Sequence, residues 1–300
     1  MSVQKNKSAQ RIFLPGDKWV YIKLYTGQQT ADKIILNNIS LLIKKLEKEK
    51  LIEKFFFVRY RDPEFHIRIR FLLTKERTID QFFQILIVIL NKLLKNKLIW
   101  KVQFDTYIRE LERYEDSNIE DTETIFHIDS KYTIAILKEI EKNRLEHYRW
   151  LICLKMIDAL LTNFKLDISE KYELVNNLSI GFKTEFGFNY HNSKQFKTKY
   201  RENKKNIEWI FNDSFTNKEL YKINKTILKR SLEIEPIINN IVNLESAKAK
   251  KKIDTLISSY LHMMINRFFR SKNRTYELLL YDFMRRHYLS KMARNKYNLY

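Results

Sequence analysis

Residues 55–71 read FFFVRYRDPEFHIRIRF, and this stretch decides the fold. Two alternating runs, Phe55–Arg61 and Phe65–Phe71, flank a short turn at residues 62–64. Successive side chains of a strand point to opposite faces. The second run therefore separates an apolar set from a basic set, namely Phe65, Ile67, Ile69 and Phe71 from His66, Arg68 and Arg70. The stretch predicts a β-hairpin with an apolar underside and a basic upper face.

The basic row has two explanations, because like charges on one sheet face repel each other by up to about 1 kcal/mol. It is either a solvated face or a binding surface, and the hairpin residues alone leave both open. The whole chain carries a formal net charge of +20, which suits nucleic acid, an anionic substrate or an acidic peptide partner. This charge is spread along the chain, so it does not choose among the three.

The composition is that of a packed globular protein, since 44% of its 300 residues are apolar and 14% are aromatic. A single cysteine, Cys153, argues against a disulfide framework and lies in an apolar run that predicts a buried thiol. There is no signal peptide and no apolar stretch long enough to cross a bilayer. We therefore expect a cytoplasmic protein without membrane insertion.

The residues around the hairpin predict a small sheet with two helices. Residues Trp19–Thr26 alternate like a strand, and Thr30 is expected to cap a helix that runs to about Glu53. A second helix is expected over Asp80–Asn96 and a fourth strand from Trp100 to about Arg109. The order is β-α-β-β-α-β, the split βαβ arrangement, which places both helices on one face of the sheet. The basic row should then line the other face.

The remainder of the chain predicts helices. Approximate spans are 121–143, 146–164, 169–186, 193–211, 216–244, 248–270 and 274–295. The expected class is α+β, with a sheet unit over residues 1–118 and a mainly helical half over 119–300 that together form one functional domain. A helical half over the free face of the sheet would create a cleft, which is a usual place for a site.

Three stretches carry the candidate chemistry: HIRIRF (66–71), FDTYIRELERY (104–114) and YLHMMINRFF (260–269). Seen alone, the second is an ordinary cluster of surface ion pairs, and His262 in the third is an ordinary core histidine. The sequence has no HExxH motif, cysteine pair, glycine-rich phosphate loop or GxSxG elbow, so we expect no metal and no cofactor. Arginines with a histidine suit carboxylate binding and proton movement.

These stretches, together with GDKWVYIKLYTG (16–27), the hairpin and ETIFHIDS (123–130), resemble the C-terminal, glutamate-eliminating domain of class I lantibiotic dehydratases. The same domain occurs alone as the thiopeptide-type bacteriocin biosynthesis protein. The resemblance implies a lyase that expels glutamate from a glutamylated Ser or Thr of a precursor peptide and leaves dehydroalanine or dehydrobutyrine. One departure is Glu115-Asp116, which stands where the family often has two glycines.

The resemblance also implies site residues. The functional arginines of the family match Arg68 and Arg70 in HxRxR and Arg109 in TYxRE, and its histidine matches His262 in LHMxxNR. From these motifs, replacing Arg109 or His262 is expected to stop elimination and leave folding largely intact. The candidates for substrate binding are Arg59, His66, Tyr107, Arg113, Asn266 and Arg267.

The implied partners are the glutamylated precursor peptide and a separate tRNA-dependent glutamylation enzyme. A cyclase partner and a homodimer are options that the sequence leaves open. Two other functions compete with elimination. A related class of enzyme joins two dehydroalanines by a formal [4+2] cycloaddition to form a pyridine ring, and a basic peptide- or RNA-binding module would have no chemistry. The joint presence of the three arginines and His262 favours elimination.

Overall fold

A computed structural model describes residues 9–75, 78–212, 217–245 and 250–296 of the protein. The chain divides into two compact units, residues 1–134 (unit 1) and 135–300 (unit 2). This division falls inside a long helix that begins at Ile119. The domain boundary expected after residue 118 stays a prediction.

Unit 1 contains a four-stranded antiparallel sheet, a two-stranded sheet and the helices between their strands. Its elements are β1 (Ile12–Phe13), β2 (Trp19–Tyr25), α1 (Gln28–Ile34), a π-helical segment (Ile35–Ile39), α2 (Ser40–Lys48), β3 (Ile52–Arg61), β4 (Phe65–Leu73), α3 (Ile79–Lys95), β5 (Lys101–Asp105), β6 (Tyr107–Ile108) and α4 (Leu111–Tyr114). The large sheet has the order β3-β4-β2-β5. This order and the predicted α+β class agree with the split βαβ arrangement.

The hairpin has the register that its alternation predicts. Phe57 lies opposite Ile69, and Val58 lies opposite Arg68. Ile67, Ile69 and Phe71 are fully buried on the apolar face. The basic row consequently occupies the other face, as the sequence indicates.

Two predicted boundaries of unit 1 are wrong. Thr30 caps nothing, because α1 begins at Gln28 with Gly27 as its N-cap. The helical stretch ends at Lys48 and not near Glu53, since Lys50 adopts φ 55° and turns the chain into β3. The predicted fourth strand is also two strands. β5 pairs with β2, and after Thr106 the chain leaves that sheet so that β6 pairs with β1.

From Ile119 onward the regular elements of the described residues are helices. They are α5 (Ile119–Lys142), α6 (Arg149–Asn163), α7 (Ile168–Glu185), α8 (Tyr190–Phe211), α9 (Lys218–Glu245), α10 (Lys250–Phe268) and α11 (Asn273–Lys296), with a short 3-10 turn at 146–148; another 3-10 turn, at 116–118, precedes α5. The seven predicted helices all exist, although the predicted starts at 216 and 248 lie outside the described residues. Cys153 is buried in α6. Within the described ranges, no helix combines the length and the apolar character that a membrane span requires.

A buried histidine of unit 2 should make the free energy of unfolding depend on pH. His287 in α11 is 5% exposed and stacks on Phe211 at 4.2 Å between ring centroids. Burial, followed by the charge of Lys291, lowers the pKa of His287 from 6.5 to about 4. Between these two values the unfolded chain binds a proton that the folded chain refuses, so the free energy of unfolding should fall as pH falls, by roughly 3 kcal/mol across the window.

The measurement is urea denaturation of the wild type and of His287→Phe at several pH values from 7 to 4. The variant keeps the stacked ring and lacks the titrating group, so it should lose less stability over this range. Equal losses in both proteins would show that His287 does not titrate as proposed.

Candidate active site

The basic row of β4 faces a second row of polar and aromatic residues on β2. Tyr21 lies opposite Arg70, and Lys23 lies opposite Arg68. Tyr25 is the partner of His66 in the same register. The upper face of the sheet therefore combines three basic side chains of β4 with one lysine and two tyrosines.

Arg68 and Arg70 are held by aromatic rings and by histidine, not by carboxylates. The guanidinium carbon of Arg68 is 3.5 Å from the ring centroid of Tyr60. That of Arg70 lies 4.3 Å from the Tyr21 centroid and 4.7 Å from that of Tyr107. Among the described residues neither arginine forms an ion pair, and both are half-buried. Two positive charges on this face are thus left for an external anion.

The other two candidate arginines of unit 1 are neutralised inside the protein. Arg59 lies on the apolar face of the hairpin, opposite Ile67, and donates to Asp32 at 2.6 Å. Arg109 donates to both carboxylate oxygens of Glu123, from Nε at 2.8 Å and from Nη2 at 2.6 Å. Both arginines are 2% exposed. Arg59 therefore does not belong to the basic row. Arg109 is paired with Glu123 inside the protein.

Glu123 connects Arg109 to Tyr107. The Tyr107 hydroxyl donates to Oε1 of Glu123 at 2.9 Å. Burial, followed by the charge of Glu123, raises the pKa of Tyr107 well above its ordinary value. The phenol therefore stays protonated as a donor, while its ring contacts Arg70. Tyr107 and Glu123 form a buried link from Arg109 to the basic row.

A cavity of about 670 Å³ opens within unit 1 beside this link. Trp19 and Leu72 line it, and they lie opposite each other two residues beyond the Tyr21–Arg70 pair, on the same sheet face. The other lining residues are mostly charged: Lys18, Glu53, Lys54, Lys75, Arg109, Glu120 and Glu123, with Leu73 and Thr74. The basic face of the sheet consequently continues into a polar cavity.

The charged residues after Arg109 form surface ion pairs. Arg113 donates to Glu110 at 3.2 Å, and their side chains are 42% and 64% exposed. Arg11 pairs with Glu112 at 2.5 Å, also at the surface. Exposed pairs of this kind contribute little to stability. The cluster therefore divides into ordinary surface pairs and one buried arginine.

The loop after Tyr114 keeps a backbone shape that suits glycine. Glu115 has φ 64° and ψ 149°, a region that is nearly restricted to glycine. We expect Glu115→Gly to raise the free energy of unfolding by about 1 kcal/mol, because glycine adopts this conformation without a Cβ clash.

Denaturant titration measures this effect, and Asp116→Gly serves as the matched control. Asp116 Oδ1 accepts a hydrogen bond from the Ala9 amide at 2.6 Å, so its loss should destabilise. If the Glu115→Gly protein were less stable than the wild type, the backbone at residue 115 would not be strained as we propose.

In unit 2, His262 forms a hydrogen-bonded pair with a buried carboxylate. Its Nδ1 lies 2.9 Å from Oε1 of Glu277, and Oε2 of Glu277 accepts from Nη1 of Arg274 at 3.2 Å. The Glu277 side chain is 2% exposed, whereas that of His262 is 29% exposed. A carboxylate that accepts from Nδ1 orients the ring and leaves Nε2 for proton transfer.

The other two candidates on α10 differ in burial. Asn266 follows His262 by one helical turn and is partly buried. Its backbone carbonyl accepts a weak hydrogen bond from the Asn273 side chain at 3.4 Å. Arg267 is buried in unit 2 at 1% exposure. Sequence reasoning missed Glu277, Glu123 and Tyr60, which hold His262, Arg109 and Arg68 in place. Glu123 opens the quoted stretch ETIFHIDS and Tyr60 lies in the quoted hairpin, whereas Glu277 lies in no quoted stretch.

The described ranges contain no group of three or more histidine, cysteine, aspartate or glutamate side chains that could hold a metal ion. The described site residues supply guanidinium groups, an imidazole with its carboxylate, and phenols. Such groups bind carboxylates and move protons.

Comparison with known proteins identifies similar sequences. The family described as "Lantibiotic biosynthesis dehydratase C-term" matches residues 19–288. The subtilin biosynthesis protein SpaB of Bacillus subtilis is 28% identical over 61% of this chain and 18% of its own length. The epidermin biosynthesis protein EpiB of Staphylococcus epidermidis is 26% identical over 84% of the chain and 24% of its own length. The chain thus spans about a quarter or less of these relatives.

Solved structures show the same fold. The tRNA dependent lantibiotic dehydratase MibB from Microbispora sp. 107891 matches 92% of this chain and 29% of its own, with a TM-score of 0.73 and 17% identity. The pyridine synthase TbtD from thiomuracin biosynthesis matches 91% of this chain and all of its own, with a TM-score of 0.61 and 10% identity.

Proposed function

Because this chain belongs to the lantibiotic biosynthesis dehydratase C-terminal family, we propose that it eliminates glutamate from glutamylated Ser or Thr of a ribosomally made precursor peptide. The products are free glutamate and dehydroalanine or dehydrobutyrine. Membership of the family agrees with the resemblance seen in the sequence motifs. The activity itself is our proposal.

The observation that carries the proposal is the contrast among the four arginines of unit 1. Arg59 and Arg109 are each neutralised by a buried carboxylate. Arg68 and Arg70, on the opposite side of the hairpin from Arg59, form no ion pair within the described residues. Planar guanidinium groups bind carboxylates with two parallel hydrogen bonds. A glutamyl group that is attached as an ester keeps one free carboxylate of this kind.

The elimination moves one proton and breaks two bonds. The Cα–H bond of the glutamylated residue breaks, its electron pair forms the Cα=Cβ bond, and the Cβ–O bond breaks so that glutamate leaves as a carboxylate. Negative charge develops on the adjacent peptide carbonyl oxygen when the proton leaves, and a fixed cation stabilises that charge. We assign two tasks, binding the substrate carboxylate and stabilising this charge, to Arg68 and Arg70, which form no ion pair within the described residues.

We assign movement of the proton to His262. Glu277 holds its Nδ1 and leaves Nε2 able to accept or donate a proton. Arg109 acts differently, because its ion pair with Glu123 fixes Tyr107 beneath Arg70. Among the candidates for substrate binding, we keep Tyr107, whose ring contacts Arg70, and Asn266, which lies one helical turn from His262. Arg59 is already bonded to Asp32 and is not kept.

The reaction needs a partner that makes its substrate. An ester between glutamate and a peptide hydroxyl must be formed before it can be eliminated, and we place this step in a separate tRNA-dependent glutamylation enzyme. The similar protein MibB is described as tRNA dependent. The precursor peptide is the second partner.

The experiment offers the purified protein two synthetic peptides in parallel. One carries a glutamyl ester on serine, and the other carries two dehydroalanines at a spacing suitable for ring formation. Loss of glutamate from the first peptide alone supports elimination. Ring formation in the second alone assigns cycloaddition, which the fold shared with TbtD makes the main alternative. Reaction with neither peptide, together with salt-sensitive RNA binding, would assign a binding module.

A further inference from the structure

We infer that His66 is a positioning residue that aims the Arg68 guanidinium at a carboxylate and does not touch the substrate itself. The inference rests on the proposed function, because the carboxylate is that of the glutamyl group. It changes the role expected from the sequence, in which His66 binds substrate directly.

Both ring nitrogens of His66 are already used inside the protein. Nδ1 lies 2.8 Å from the carbonyl oxygen of Glu64, and a carbonyl can only accept, so Nδ1 carries the proton. Nε2 then has a lone pair, and it accepts a hydrogen bond from Nε of Arg68 at 3.0 Å. The two partners fix one tautomer of the ring and leave no nitrogen for a ligand.

The surroundings keep this imidazole neutral. His66 is fully buried and packs between Tyr25 and Tyr60, at 4.8 and 5.9 Å between ring centroids. Burial lowers the pKa of His66 despite the opposing hydrogen bond to Glu64, and the charge of Arg68 lowers it further. A neutral ring can accept from a guanidinium, whereas a protonated ring would repel it.

These contacts fix the orientation of the planar guanidinium group of Arg68. His66 holds its Nε, and the ring of Tyr60 packs on the guanidinium at 3.5 Å. The two Nη groups remain as a fork that matches a carboxylate. Restricting the side chain before the ligand arrives reduces the entropy lost on binding. The loss of His66 should thus weaken carboxylate binding, even though His66 does not contact the ligand.

The test uses a ligand that cannot react: a peptide in which diaminopropionate carries glutamate through an amide. Calorimetry measures its Kd for three proteins. His66→Phe keeps the ring and lacks the acceptor, so its Kd should rise about 10-fold to 100-fold. His66→Gln places an amide oxygen within reach of Arg68 Nε and should stay within about 3-fold of the wild type. A wild-type Kd in folded His66→Phe, or no binding by the wild type, would overturn the inference.

A double-mutant cycle separates positioning from general stability. In an Arg68→Ala background, adding His66→Phe should not weaken binding further, because the group that His66 positions is gone. Additive losses would mean that His66 acts independently of Arg68. In turnover with the glutamyl ester, His66→Phe should raise KM and change kcat much less.

Nitrogen NMR of the wild type tests the geometry even if His66→Phe does not fold. The His66 signal, assigned by its absence in His66→Gln, should report the Nδ1–H tautomer at neutral pH. The other tautomer or a protonated ring would refute the arrangement. If the wild type binds the amide but never eliminates the ester, the proposed function fails, and the Kd values still decide the role of His66.

Discussion

Replacing His262 with alanine is expected to stop glutamate elimination while the protein stays folded. Positioned acid–base groups contribute typically 100-fold to 10,000-fold to a rate, so we expect a loss of that size. The glutamyl peptide should accumulate with no dehydrated product, which mass spectrometry detects directly.

The fold should tolerate this change for two reasons. His262 is partly exposed, and Glu277 keeps its hydrogen bond from Arg274 when the imidazole is removed. The matched control is His191→Ala, which removes an exposed histidine at the start of α8 and should leave the rate unchanged. Wild-type turnover by folded His262→Ala would end the catalytic assignment. A stability loss with a normal rate would identify His262 as a structural residue.

Replacing Arg109 with alanine is expected to destabilise the protein by about 3–5 kcal/mol, since it leaves the buried carboxylate of Glu123 without its partner. This expectation differs from the one based on sequence, in which the fold survives and only elimination is lost. The reason is the pairing of Arg109 with Glu123 through two hydrogen bonds.

Urea denaturation measures the destabilisation. Arg113→Ala is the matched control, because the ion pair of Arg113 with Glu110 is exposed and its loss should cost less than about 1 kcal/mol. A double replacement of Arg109 and Glu123 by methionine should recover part of the stability, since it removes both buried charges. If Arg109→Ala is as stable as Arg113→Ala and still cannot eliminate glutamate, Arg109 acts on the substrate directly.

The sheet could be predicted because apolar and polar residues alternate along its strands over enough positions to show which residues lie on each face. Alternation places Arg59 in phase with Phe55 and Phe57, which already argues for the buried face. Its partner Asp32 lies 27 residues earlier in α1, and no local pattern connects the two. Sequence reasoning could therefore identify the basic row but not which arginines are neutralised.

The helices could be predicted from their apolar period, but the end of the helical stretch before β3 could not. Lys50, which has φ 55°, ends the helical stretch without glycine or proline, the residues that usually mark such a turn. Likewise, Thr106 separates two strands by bonding its amide to Asp105 rather than through a turn motif. Neither place contains glycine or proline, so composition gives little warning that the chain changes direction there.

The His262–Glu277 pair shows a similar limit. The motif around His262 indicated a functional histidine, but its orienting carboxylate lies on the next helix beyond a loop. Helical spacing predicts neighbours within one helix, not between two. Tyr60 is a different case, because the hairpin register that the alternation predicts already places it opposite His66 on the basic face.

The central claim is elimination, and one measurement tests it most directly. Purified protein is incubated with a peptide that carries a glutamyl ester on serine, without tRNA, ATP or a second enzyme, and peptide mass and free glutamate are followed together. We predict equal amounts of free glutamate and of a peptide one water lighter than the unmodified peptide. Recovery of the unmodified mass with free glutamate would show ester hydrolysis, and an unchanged ester would show no reaction; either result contradicts the account.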